Sequence, residues 1–256
     1  MRVGVIGAGG RMGETVCHAV ADDPRLSLVA AVDRARVGDL IAGVTISDDR
    51  SVVVGCDVVV DFSIAAAARD NLPWLAEQGI HAVVGATGFT DDDLAAFRTA
   101  FDASSANCLI APNFAISAVV MMKCAELAAP YFDTVEVIEY HHNNKIDAPS
   151  GTAVTTAERI AAQRGQKPWS SDPTEIERFP GARGGQVADG VRVHAVRMAG
   201  MVAHQEAIFG STGQTLTIRQ DSYDRASFMP GVVLACAQIA NHPGLVIGLD
   251  AYLGLG

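Results

Sequence analysis

The first thirteen residues constrain this chain more than any other stretch. Arg2-Val3-Gly4-Val5-Ile6 is a short apolar strand that runs straight into Gly7-Ala8-Gly9-Gly10-Arg11-Met12-Gly13. A helical pattern follows through Val16 and Val20 to Asp22, and Leu26 to Val32 makes a second strand ending at Asp33. Strand, glycine turn, helix and strand form a βαβ unit, and the acid at the end completes a dinucleotide-binding pattern. Glycines let the backbone approach a pyrophosphate resting on the helix N-terminus, and the Asp33 carboxylate can accept from an adenosine ribose. A glycine pattern alone is weak; this one lies in its required context.

The alternation continues along the chain. Asp57 to Phe62 reads as a buried strand, followed by a helical stretch from Ala65 to Gln78 that Pro73 should kink or divide. His81 to Val84 is the next strand and opens into Gly85-Ala86-Thr87-Gly88-Phe89. Thr90 caps a helix that starts with Asp91, Asp92 and Asp93, as the helix dipole prefers. Cys108 to Ile110 is a strand and Ala111-Pro112-Asn113-Phe114 a loop. Loops at the carboxyl ends of strands line the crevice of a doubly wound sheet, so both loops should face the nicotinamide half of a dinucleotide.

After a helix from Ile116 to Ala128 the pattern changes. A strand from Thr134 to Tyr140 leads to a polar turn and a helix, and a Pro/Gly-rich segment from Gln166 to Asp189 reads as irregular. Three strands then follow without helices between them: Val191 to Met198, Ala203 to Phe209 and Thr215 to Gln220. Consecutive strands after βα units indicate a second, α+β domain with an open or mixed sheet. Its edges need cover, which suits self-association. Arg225 to Ala240 reads as a final apolar helix that packs back on the first domain. The expected organisation is a Rossmann-type dinucleotide-binding domain at 1–113 and 221–256, with a substrate-binding and oligomerisation domain at 114–220.

Composition excludes several function classes. With 49% hydrophobic and 19% charged residues the chain can build a sizeable core. A formal charge of −10 without any basic run argues against nucleic acid as a partner. No unbroken apolar stretch approaches membrane-spanning length, so no membrane is expected. The start leaves no room for a signal peptide, and Cys17, Cys56, Cys108, Cys124 and Cys236 look like buried free thiols of a cytoplasmic protein. No CxxC or His-x-x-x-His spacing suggests a metal.

The stretch from Glu136 to Thr156, EVIEYHHNNKIDAPSGTAVTT, carries the chemistry. It delivers His141 and His142, whose side chains point to opposite faces if the strand persists that far. Lys145 follows, one of only three lysines, whose amine can lose a proton where a guanidinium cannot. Asp147-Ala148-Pro149-Ser150-Gly151-Thr152 makes a turn, and Ala153 to Arg164 reads as a helix opened by Thr152 as N-cap or by the Thr155/Glu158 capping-box spacing. Proton donors beside a fresh helix N-terminus suggest a site for a carboxylate substrate.

These residues resemble a family. GAGGRMG at 7–13, GATGF at 85–89, APNF at 111–114 and E-x-x-E-x-HH-x-x-K-x-DAPSGTA from Glu136 to Ala153 are similar to dihydrodipicolinate reductase over essentially the whole chain. The resemblance implies reduction of 4-hydroxy-tetrahydrodipicolinate to tetrahydrodipicolinate with loss of water, on the diaminopimelate route to lysine. It implies His141 as proton donor, Lys145 as second catalytic residue, and His142, Ser150, Gly151 and Thr152 as contacts of a small dicarboxylate substrate. It implies NADH or NADPH as cofactor, held by Gly7, Ala8, Gly9, Gly10, Arg11, Met12, Asp33, Arg34, Gly85, Ala86, Thr87, Ala111, Pro112, Asn113 and Phe114. It further implies a homotetramer joined through the sheets of the second domain. The chain departs from the pattern at Asn113-Phe114-Ala115-Ile116-Ser117, where many relatives have Asn-Phe-Ser-x-Gly. Asp33 alone favours NADH, and Arg34 adds a guanidinium for a 2′-phosphate, so dual use with a modest NADH preference is expected. Arg36 is expected only to solvate the loop. Two alternatives remain open: another amino-acid or hydroxy-acid dehydrogenase, which would not need the HH-x-x-K string, and a dinucleotide-binding redox sensor or repressor.

Overall fold

The computed structural model describes residues 1–255. In chain order its elements are β1 (Arg2–Ile6), α1 (Arg11–Asp22), β2 (Ser27–Val32), β3 (Leu40–Ile41), β4 (Val44–Ser47), β5 (Val58–Asp61), α2 (Ala65–Glu77), β6 (His81–Val84), α3 (Asp91–Asp102), β7 (Cys108–Ile110) and α4 (Ile116–Ala128). Then come β8 (Thr134–His141), α5 (Gly151–Arg164), β9 (Gly185–Ala188), β10 (Val191–Arg197), β11 (Ala203–Ser211), β12 (Gln214–Ser222), α6 (Met229–Gln238) and β13 (Leu245–Ile247). Two compact units result, Met1–Ile116 with Arg225–Gly256, and Ser117–Asp224.

The first unit is a doubly wound sheet in the order β13-β7-β6-β5-β1-β2-β4-β3. All pairings are parallel except β3 with β4. Covered on both faces, its inner strands carry apolar runs rather than alternation: Val58, Val59 and Val60 are wholly buried, as are Ala82, Val83 and Val84. Thr90 and Asp93 close a reciprocal capping box at the start of α3.

Pro73 does not divide α2, which runs unbroken through it. Proline deprives the carbonyl four residues earlier of its donor, and that residue, Arg69, lies on the exposed side of the helix where water can serve. The closing segment is not one helix. A 3-10 turn (Arg225–Phe228) precedes α6, and a short strand, β13, adds itself to the edge of the sheet beside β7. Gly231 lets α6 approach closely, since a Cβ there would fall on the Phe114 carbonyl.

The second unit is a five-stranded mixed sheet in the order β12-β11-β8-β10-β9, with only β8 and β10 parallel. Its strands alternate, as a sheet covered on one face requires: Val135, Val137, Val193, Ala207 and Phe209 pack under Ala153, Ala157 and Ile160 of α5. The opposite face carries Glu136, Tyr140, His194, Glu206 and Arg219, paired with one another or with neighbours. Most of the segment expected to be irregular is so, but its end forms β9, paired antiparallel with β10. All five cysteines are free. Four are buried as expected, and burial pushes the Cys56 thiol up to about 11 and Cys17 to about 12. Cys124 is exposed, on the side of α4 that also turns Val120 and Leu127 to solvent. No helix among the described residues is long and apolar enough to cross a membrane.

Candidate functional site

In the first unit the candidate cofactor residues lie at one edge of the parallel sheet, each group following the carboxyl end of a strand. Gly7, Ala8, Gly9, Gly10, Arg11 and Met12 follow β1, and Asp33 and Arg34 follow β2. Gly85, Ala86 and Thr87 follow β6, while Ala111, Pro112, Asn113 and Phe114 follow β7. This is where a doubly wound sheet places its ligand.

The glycines test whether a dinucleotide fits. Gly7 has φ +83° and no room for a side chain, which would meet the Phe62 carbonyl at 2.8 Å. A Cβ on Gly9 would meet the Ala35 carbonyl oxygen at 2.9 Å, and one on Gly13 would fall on the Gly7 carbonyl. The turn therefore folds flat onto the start of α1. Gly10 is the N-cap of α1 and contributes no side-chain cap, which leaves the helix start open to an anion. These residues suit a dinucleotide's pyrophosphate.

Asp33 is positioned as well as positioning. Its Oδ2 accepts from the Gly9 N–H at 2.9 Å and its Oδ1 from the Ala35 N–H at 2.8 Å, which locks the second turn to the first. Arg34 is exposed. Arg36, in a left-handed conformation (φ 59°), is spent on Glu14 at 3.0 Å and Asp39 at 3.1 Å. Asn113 Oδ1 accepts from the Ala115 N–H at 2.8 Å, so the departure from the family pattern there still forms a tight turn into α4.

Sequence reasoning missed Phe62. Its backbone presses on Gly7, and its ring occupies the place a Gly85 side chain would take, 5.7 Å from the ring of Phe114. It thus touches three of the glycine and loop segments at once. Asp61 fixes this turn: wholly buried, it accepts from Ser63 N at 2.8 Å, Ser63 Oγ at 2.5 Å and Asn71 Nδ2 at 2.9 Å. Burial pushes its carboxyl up against those bonds. The signal was an acid at the end of an otherwise apolar strand.

In the second unit the candidate residues cluster where β8 ends. His141 is the last residue of β8, so the alternation of faces does not extend to His142, which lies exposed in the turn beyond. Lys145 donates to both oxygens of Asp147, at 2.8 and 2.9 Å, and holds the Asp147 carboxyl below its usual range. The helix cap is Ser150, not Thr152: its hydroxyl accepts from the Ala153 N–H at 3.2 Å and α5 begins at Gly151. Ser150 has the extended backbone a cap requires and is buried, whereas Thr152 already has its carbonyl inside the first turn, bonded by Thr156 Oγ1 at 2.8 Å. A Cβ at Gly151 would meet nothing within 4 Å, so the start of α5 is open on that side.

Two further residues complete this cluster. Glu139, wholly buried, faces His141 Nδ1 and receives a fork from Arg197 at 2.7 and 2.8 Å. Arg197 also donates to the Asp147 carbonyl at 2.7 Å. His141, Glu139, Arg197, Asp147 and Lys145 therefore form one continuous chain of polar contacts, and the Ser150 N–H joins it at Glu139 (3.1 Å).

The chain matches the family model described as dihydrodipicolinate reductase, N-terminus, over residues 1–114, and the corresponding C-terminus model over 117–253. The chain belongs to the dihydrodipicolinate reductase family. It is 53% identical over 258 residues to 4-hydroxy-tetrahydrodipicolinate reductase of Thermobifida fusca, covering all of both chains. It is 52% identical over 257 residues to that of Corynebacterium aurimucosum, covering 100% of this chain and 99% of the relative. Among solved structures it is similar to a dipicolinate-bound dihydrodipicolinate reductase from Paenisporosarcina sp. TG-14, with TM-score 0.88, 38% identity and 98% of each chain covered. An amine dehydrogenase from Mycobacterium smegmatis shares the fold alone, at 15% identity and TM-score 0.65. Membership makes the chain a dinucleotide-dependent oxidoreductase of lysine and diaminopimelate biosynthesis, and the other dehydrogenases keep only a common architecture.

Proposed function

We propose that this reductase converts 4-hydroxy-tetrahydrodipicolinate to tetrahydrodipicolinate, with release of water and consumption of one hydride and one proton. The observation that carries the reading is the polar cluster at the end of β8, where a histidine, a lysine and an open helix start meet. When bound, NADH or NADPH supplies the hydride.

The protein's part is binding, charge and one proton. His141 gives the proton that balances the hydride, the task of a general acid whose ordinary range lies near neutrality. Lys145 stabilises the charge that develops on the substrate, leaving Asp147 as it does so. Gly151 and Thr152, in the first turn of α5, present backbone N–H groups to a substrate carboxylate, with Ser150 and His142 flanking it. The similar structure from Paenisporosarcina holds dipicolinate, a flat dicarboxylate, which suits a cradle of this kind. On the cofactor side, Gly7 to Met12 take the pyrophosphate, Asp33 and Arg34 the adenosine ribose, and Gly85 to Thr87 with Ala111 to Phe114 the nicotinamide half.

Turnover of freshly made substrate with reduced cofactor tests the reading. His141→Ala and Lys145→Ala should each lower kcat by about 100-fold or more while cofactor binding survives. Near-normal turnover in both variants would overturn these roles. The open, half-polar face of the second unit's sheet is the surface through which four chains associate, and light scattering of the purified protein checks for a tetramer. The five free thiols suit a cytoplasmic setting.

A further inference from the structure

Glu139 lies two residues before His141 on the same face of β8 and has no solvent exposure. Both of its oxygens are engaged. Oε2 faces His141 Nδ1 and accepts from Arg197 Nη1 at 2.8 Å, while Oε1 accepts from Arg197 Nη2 at 2.7 Å and the Ser150 N–H at 3.1 Å. Burial pushes this carboxyl up, but the hydrogen bonds from His141 and Arg197 outweigh it and hold it down at about 2. Glu139 is therefore ionised throughout the working range, and an ionised carboxylate can only accept. The imidazole nitrogen that faces it must carry a hydrogen.

We infer that Glu139 is a positioning residue for the reduction, fixing His141 so that Nδ1 keeps its hydrogen and Nε2 alone exchanges a proton with substrate. In the step itself, the Nε2–H bond breaks, a bond from that hydrogen to the reduced ring forms, and the electron pair stays on Nε2. The imidazole left behind is the neutral Nδ1–H tautomer. Through the Ser150 N–H the same carboxylate anchors the cap of α5, so proton donor and carboxylate cradle share one fixed point. Arg197 makes this possible. Its fork compensates a charge that would otherwise be costly to bury, and its third contact holds the Asp147 carbonyl. The inference rests on the reading of His141 as proton donor.

The test uses the full-length protein. Long-range 1H–15N spectra of the imidazoles in the unmodified enzyme, with His141 assigned from the His141→Ala variant, should show neutral His141 protonated at Nδ1 and bare at Nε2. Glu139→Gln removes the charge with little change of shape. It should lower kcat by about 100-fold, keep KM for the dicarboxylate within about threefold, and give a mixture of His141 tautomers. Glu139→Asp, which keeps the charge, should recover part of the lost kcat. An Nε2–H tautomer in the unmodified enzyme would overturn the inference even if Glu139→Gln did not fold, and so would a Glu139→Gln enzyme with normal kcat. Normal turnover by His141→Ala would instead overturn the proton-donor reading. An impaired His141→Ala enzyme beside a normal Glu139→Gln enzyme would remove only the positioning role of Glu139.

Discussion

Gly13→Ala adds a single methyl group at the buried start of α1, and its consequences can be worked from the structure. The new Cβ would fall on the Gly7 carbonyl and approach Ala8 Cα at 2.8 Å. Both are backbone atoms, so no rotamer change relieves the clash. Helix α1 must retreat from the glycine turn by on the order of 1 Å, because a packed interior has no slack to absorb it. Overpacking of this sort costs about 1–3 kcal/mol, offset by about 1 kcal/mol from alanine's better helix propensity. The net loss of about 0–2 kcal/mol lowers Tm by no more than about 8 °C in a unit of this size. Cofactor use should suffer more, since the helix start is the proposed pyrophosphate cradle and a misplacement of about 1 Å costs about 100-fold in rate. Steady-state kinetics should give a kcat/KM for NADH lowered about 100-fold for Gly13→Ala. A Gly13→Ala protein with parental kcat/KM and Tm would refute this account of the cradle.

If the enzyme uses both cofactors as proposed, Asp33→Ala should shift the ratio of kcat/KM values toward NADPH and Arg34→Ala toward NADH; an unchanged ratio in both variants would place cofactor discrimination elsewhere. Stability of the second unit should fall in acid: because the folded Glu139 carboxyl is held down at about 2, its contribution is complete above the ordinary carboxylate range and is lost as pH drops toward 2, so a Tm independent of pH between 5 and about 2.5 would contradict it.

Some of this was legible in the residues and some was not, for physical reasons that differ from place to place. The glycine turn and the long apolar strands could be read because their requirements are local. The β3–β4 hairpin could not: its two turn residues, Ala42 and Gly43, both take positive φ (46° and 85°), yet alanine gives none of the usual signal of asparagine before glycine. Strand β13 has three residues, and only its pairing with Cys108, Leu109 and Ile110, more than 130 positions earlier, makes it a strand. Ser150 and Thr152 are both plausible caps by type, and the choice between them depends on where the preceding turn releases the chain. Arg197 had no sequence signal at all. It reaches Glu139 because β8 and β10 run parallel in the register that sets Arg197 beside His141.

The polar cluster also divides into a fixed part and a movable part, and that division suits the chemistry. Glu139 has no exposed side-chain surface, while His141 and Arg197 have 17% and 19%. Turning the His141 ring away would deprive a buried carboxylate of one donor, at a cost of about 1–3 kcal/mol. Lys145 is held differently. Its partner Asp147 is 57% exposed, and ion pairs of that sort are worth about 0–1 kcal/mol. In the proposed site an arriving dicarboxylate would therefore draw Lys145 from Asp147 almost without penalty, exchanging one carboxylate for another, while the imidazole stays where Glu139 holds it. A proton donor must be oriented before the reaction begins, whereas a cation that neutralises substrate charge needs only to be close and free to move.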